Sequence, residues 1–199
     1  MENRMFRTAL LGVGVVLLTL AGCGESAAAA TDEQRERALA AGFDVDQVYV
    51  LELDAYHLAA GGNGVYGDSG YQAVYASAQG DDLRLTVERA GLDDDTCPAL
   101  PVPGAEGVGV TVECTRDDDG WRRVADDREE YALVRDGLLV RVSGIGAVAG
   151  SGLIRQAALD ARPATEEELD DLLPPLREVV ERGDISGDSA PDNGVGAGG

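Results

Sequence analysis

The residue pattern predicts an α+β fold, a single domain built on an antiparallel β-sheet meander with a few short helices. Three observations carry this. In "LRLTVER", Leu83, Leu85 and Val87 alternate with Arg84, Thr86 and Glu88, the period-two pattern of a half-buried strand. "YALVR" and "LLVRVS" flank Asp136-Gly137, a strong two-residue hairpin signal. Helical signals stand near the two ends of this β-rich region: Thr31 with Gln34, and Thr165 with Glu168, each have capping-box spacing.

In chain order, residues 24–30 read as a short tether of small and polar residues. "DEQRERALAA" follows as a helix capped by Thr31 and stopped by Gly42. "VYVLEL" from Val48 reads as a strand, "AAGGNG" as a loop, and "YQAVYAS" as a strand with Tyr71, Ala73 and Tyr75 on one face. Residues 92–107, rich in Asp, Pro and Gly, read as a loop. "VGVTVEC" places Val108, Val110, Val112 and Cys114 on one face of a further strand. "DDDG" turns the chain into Trp121, and the Asp136-Gly137 hairpin brings the sheet to five to seven strands. "GLIRQAAL" reads as a short helix broken by Pro163. Thr165 opens the last helix, with Glu166, Glu167 and Glu168 in the dipole-favoured first turn and Leu169, Leu172, Leu173 and Leu176 as its apolar stripe. Pro174 and Pro175 kink or restart it. The organisation expected is a leader over 1–22, a tether and short helix over 23–42, a globular domain over 43–183 and a disordered tail over 184–199.

Composition narrows the partners. Among 199 residues, 37 are acidic and 16 basic, a net charge of −21. Every basic residue is arginine; lysine does not occur. Such a chain repels phosphate backbones and anionic headgroups, so nucleic acid is not expected as a partner. Aromatics make up only 5% of the residues, so Val, Leu and Ala must fill most of the core.

The first residues are a different material. Arg4 and Arg7 precede an apolar run from Ala9 to Leu20, and Ala21 and Gly22 lead into Cys23. This is the layout of a secretory leader, and the run is short of the roughly 20 residues of a membrane-spanning helix. Leu20-Ala21-Gly22-Cys23 resembles the lipobox of bacterial lipoproteins. The resemblance implies that the Cys23 thiol takes a diacylglyceryl group and that the leader is cut before it. A membrane anchor made by covalent lipid, on the extracytoplasmic face, is therefore expected.

Cys97 and Cys114 remain as an even pair for an oxidising compartment, a disulfide by preference over two buried thiols. Zinc is poorly served, because there is no CxxC and one histidine.

Several motifs tempt a chemical reading. "GDSG" at 67–70 with His57 resembles the nucleophile segment of trypsin-like serine proteases, but twelve residues separate Ser69 from His57, unlike that family's order, and a turn is the preferred reading. Thr115, Asp117, Asp119, Gly120 and Asp126 mimic a calcium-loop spacing, with Thr115 where an acid should stand; Asp117, Asp119 and Asp126 are the weak calcium candidates beside a plain turn. Asp93, Asp94 and Asp95 are a similar acidic run. "GIGAVAG" at 144–150 lacks phosphate-loop spacing and reads as a strand-to-helix link. Tyr49, Tyr56, Tyr66, Tyr71, Tyr75 and Tyr131 are either core-edge aromatics or the lining of a glycan or peptide cleft.

Beyond the lipobox, "GVYGDSGYQAVY", Cys97 with Cys114, "EYALVRDGLLVRVS" and "RPATEEELDDLLP" resemble lipoproteins of high-GC actinobacteria, over residues 43–175 or so. The resemblance implies a surface location and supplies no catalytic residues. A non-enzymatic binding or accessory module of the cell envelope is the expected role, with no cofactor. Its partners would be envelope components or a membrane protein. An envelope serine hydrolase using Ser69 and His57, or a calcium-responsive structural protein, are the alternatives.

Overall fold

A computed structural model describes residues 30–105 and 107–176. The expected leader over 1–22, Cys23 and the expected tail over 184–199 lie outside the described residues. The α+β architecture is observed as a seven-stranded antiparallel sheet with three short α-helices. The helices are α1 (Asp32–Ala41), α2 (Leu153–Asp160) and α3 (Glu166–Leu172). The strands of the large sheet are β2 (Tyr56–Tyr66), β3 (Gly70–Ser77), β4 (Asp82–Glu88), β5 (Glu113–Arg116), β6 (Trp121–Ala125), β7 (Arg128–Arg135) and β8 (Leu138–Ile145). The two-residue β1 (Tyr49–Val50) and β9 (Arg162–Pro163) pair separately.

The sheet order, β2-β3-β4-β8-β7-β6-β5, joins two meanders through the β4–β8 pair. Residues 89–112 carry the chain from the middle of the sheet at β4 to its far edge at β5. That long connection crosses one face; the helices cover the other. On the helix side, Tyr71, Leu85, Val87, Leu133, Val140 and Val142 meet Ile154 and Ala157 of α2 and Leu169 of α3 in one buried cluster. Both faces of the central strands are thus shut off from water, which is why β7 and β8 read as near-continuous buried runs.

Local chemistry accounts for the element ends. Both capping boxes form: the Thr31 and Thr165 hydroxyls accept from the backbone N–H of Gln34 and Glu168, whose side chains accept from the cap N–H groups. Gly42 ends α1 in the left-handed conformation at φ 99°. Asp136 and Gly137 both take positive φ, 52° and 78°, as the β7–β8 turn requires.

The structure departs from expectation in four places. Residues 59–64 belong to β2, not to a loop; the register shifts between Leu58 and Asn63, and Gly61 at φ 67° supplies the backbone bend a bulge needs. Residues 108–112 are not strand, and Val108 is fully exposed. Their partner runs out: Glu113 pairs with Val124, and β6 ends one residue later at Ala125. "VYVLEL" yields only Tyr49–Val50, because its partner is two residues long and includes Pro163, which offers no N–H. Finally, α1 is part of the domain, not of the tether. Buried Gln34 donates to the Glu166 carbonyl and the Asp170 carboxylate at 2.9 Å, and Arg37 donates to the carbonyls of Asp170 and Pro174.

Candidate functional site

The predicted cysteine pair is a disulfide, with an S–S distance of 2.00 Å and a Cα–Cα distance of 6.3 Å. It fastens the long connection to edge strand β5. Cys97 is fully buried and Cys114 partly so.

The structure does not bring Ser69 and His57 together. His57 pairs with Ala76 at one end of the β2–β3 hairpin, while Ser69 sits in the turn at the other end, beside Gly70. Six strand residues lie between those ends, so the two exposed side chains stand on the order of 20 Å apart. No proton can pass directly between them, and the hydrolase pairing is not formed.

The calcium spacing fails for a related reason. Asp117 and Asp119 lie in the turn before β6, whereas Asp126 lies in the turn after it, at φ 52°. The strand between them spans about 16 Å, too far for one ion. Among the described residues, no group of three or more His, Cys, Asp or Glu side chains is placed to hold a metal.

Asp117 is instead the hub of a polar corner. Its Oδ1 accepts from the Tyr131 hydroxyl and from the backbone N–H groups of Asp119 and Gly120, at 3.0 and 2.9 Å. Its Oδ2 accepts from Arg155 Nε at 3.0 Å, and the same guanidinium donates to Asp119 and stacks 5.4 Å from the Tyr131 ring centre. The Tyr131 hydroxyl, first among these donors, holds the Asp117 carboxyl far below its ordinary range. Burial, with the Asp117 charge behind it, pushes the Tyr131 phenol up to about 12. A carboxylate that stays ionised and a phenol that stays protonated do not exchange protons near neutrality. The corner ties α2 to the β5–β6 turn. Beside it lies a cavity of about 180 Å³ lined by Leu92, Arg116, Trp121 and Val134, with the turn aspartates at its rim. The Arg116 guanidinium lies 5.4 Å from the Trp121 ring centre.

The tyrosines are mostly core. Tyr49, Tyr71, Tyr75 and Tyr131 are buried, and Tyr75 accepts from the Leu51 N–H at 3.0 Å. Tyr56 and Tyr66 are half-buried at the β2 edge. Residues 144–150 link β8 to α2 as read, through a short 3-10 turn at Gly146–Val148.

A second cluster, under the long connection, was not read from the sequence. Arg123 and Glu130 are fully buried and paired across β6 and β7. Arg141, opposite Ala132 on β7, stands 3.9 Å from Glu130 and pairs with Glu88. Burial pushes the Glu130 carboxyl up, against the pull of Arg141 and Arg123. These arginines hold irregular backbone: Arg123 donates to the carbonyls of Cys97 and Leu100, Arg141 to that of Pro101 at 3.2 Å, and Ser143 to that of Pro103 at 3.4 Å. Carbonyls that an irregular surface segment turns toward the interior need such donors. The available signal is mirror symmetry: Arg123 and Glu130 are equidistant from Asp126-Asp127, so a two-residue turn there makes them cross-strand partners.

Comparison of the chain with protein-family models, with curated proteins and with solved structures finds no match.

Proposed function

We propose that this chain is a lipid-anchored module of the cell envelope, held on the extracytoplasmic face through Cys23 and acting by binding rather than by catalysis. The supporting observation is the cysteine pairing. Cys97 and Cys114 form the disulfide, so Cys23, at the foot of the leader-like segment, is the one cysteine of three outside that bond. A disulfide suits an oxidising compartment, and a remaining cysteine in a lipobox-like setting suits acylation.

The reach of the anchor sharpens this reading. Helix α1 starts at Asp32, nine residues after Cys23, and is packed into the body through Gln34 and Ala38. Nine residues span at most about 30 Å, so the domain would work close to the bilayer on membrane proteins or envelope components near it. Two acyl chains give the stable anchorage that one does not. A binding role is favoured by the separation of Ser69 from His57 and by the full engagement of Asp117.

Replacing Cys23 by Ala in producing cells tests the reading. The wild-type chain should fractionate with membranes and need detergent for release, and C23A should lose that behaviour. A C23A chain that stays in the membrane fraction contradicts it.

A further inference from the structure

The geometry points to the Cys97–Cys114 disulfide as a redox-operated latch that holds residues 92–105 as a strap over the buried arginine layer and that opens by attack at Cys114. The inference does not depend on lipid at Cys23.

Three observations carry it. The strap contains no helix or strand, and much of its fastening to the sheet is side-chain donors on main-chain carbonyls: Arg123 at Cys97 and Leu100, Arg141 at Pro101, Ser143 at Pro103. Its apolar contribution is small, chiefly Leu92, Leu100 and Val102 in two minor clusters apart from the main core. A segment so held belongs to the low-stability end of a domain. The layer beneath it is also incompletely satisfied: Arg123 Nε and Arg141 Nε are buried without a hydrogen-bond partner. The disulfide is therefore the strongest single fastening of the strap.

The two sulfurs are not equivalent. Cys97, within the strap, is wholly buried, whereas Cys114 is partly exposed on edge strand β5. An incoming thiolate meets Cys114 Sγ first. It forms a mixed disulfide there, and Cys97 leaves as the thiolate and takes up a proton. With a dithiol reductant, its second thiolate then attacks the mixed disulfide, the reductant departs as its own disulfide, and Cys114 is left as a thiol. Two electrons and two protons have passed from reductant to protein. The strap, now held only by those carbonyl contacts and its small apolar clusters, lifts and uncovers Arg123 and Arg141 on an otherwise acidic protein.

Hydrogen exchange on the full chain, with and without a dithiol reductant, tests the latch. Amide exchange over residues 92–105 should rise on the order of 100-fold on reduction, while β3, β4 and β8 keep their protection. Unchanged exchange in the strap, or loss of protection across the whole sheet, overturns it. Brief treatment of the full chain with a monothiol, acid quenching and mass mapping of the mixed disulfide test the direction of attack. The monothiol should be found on Cys114 about tenfold or more over Cys97. Equal occupancy, or an excess on Cys97, overturns that part.

Discussion

Arg123 and Glu130 face each other across β6 and β7 with neither side chain exposed to solvent, the guanidinium donating to the carboxylate and to the carbonyls of Cys97 and Leu100. A charged pair buried on one sheet face is costly to desolvate. It persists because its hydrogen bonds are shared with a long irregular connection that has no ladder of its own.

Removing one member should strand the other. Glu130→Gln is expected to lower unfolding free energy by about 3–5 kcal/mol, because Arg123 and Arg141 then keep positive charge without their shared anion. Arg123→Met with Glu130→Leu should cost clearly less than the sum of the two single changes. Urea denaturation of the four proteins measures the coupling; strict additivity would show that the pair does not act as a unit.

Acid should loosen helix α3 through Glu168. Arg162 donates to both of its carboxylate oxygens, and its pKa is lowered to about 2, with the Arg162 hydrogen bonds the largest cause. A depressed folded-state value means stability that is full above the ordinary pKa of 4.5 and is lost as pH falls from there toward about 2. Thermal melts across that window should show a shallower acid slope for Glu168→Gln than for the parent. Equal slopes would remove Glu168 from the acid response.

Asp117 should behave as a structural hub and not as an ion ligand. Asp117→Ala removes an acceptor from Tyr131, Arg155 and two turn N–H groups, and should cost about 1–3 kcal/mol. Calcium added to the parent protein should leave its melting temperature unchanged. A calcium-dependent rise that disappears in Asp117→Ala would reverse this assignment.

Gly120 should not accept a side chain. A Cβ there would stand 2.4 Å from the Ala132 carbonyl oxygen, which belongs to β7 and cannot swing away. Gly120→Ala is expected to destabilise by about 1–3 kcal/mol in chemical denaturation. A neutral result would mean that the β5–β6 turn has room to shift.

Much of this fold is legible residue by residue. The alternation of Leu83, Leu85 and Val87, the Asp136-Gly137 turn and the two Thr caps are local signals, and each decides its own element without help from the rest. The failures share a different cause. Residues 59–64 look like a glycine loop because composition cannot show that β3 lies alongside to pair them. Residues 108–112 look like a strand because their alternation cannot show that β6 stops at Ala125. Arg123 and Arg141 look like outward-facing charges, since the chain that buries them comes from 20 or more residues away in sequence. The candidate calcium set fails on the same ground: Asp117 and Asp126 are near in sequence, but a whole strand separates them. The cysteine pair was legible only once Cys23 was set aside as the expected lipidation site, which leaves Cys97 and Cys114 as an even pair.

The proposed anchorage at Cys23 is tested most directly by the mass of the amino-terminal peptide of the mature protein from producing cells. The account predicts a chain that begins at Cys23 and carries a thioether-linked diacylglyceryl group. A chain that keeps residues of the leader, or that begins at Cys23 with a free thiol, would contradict it.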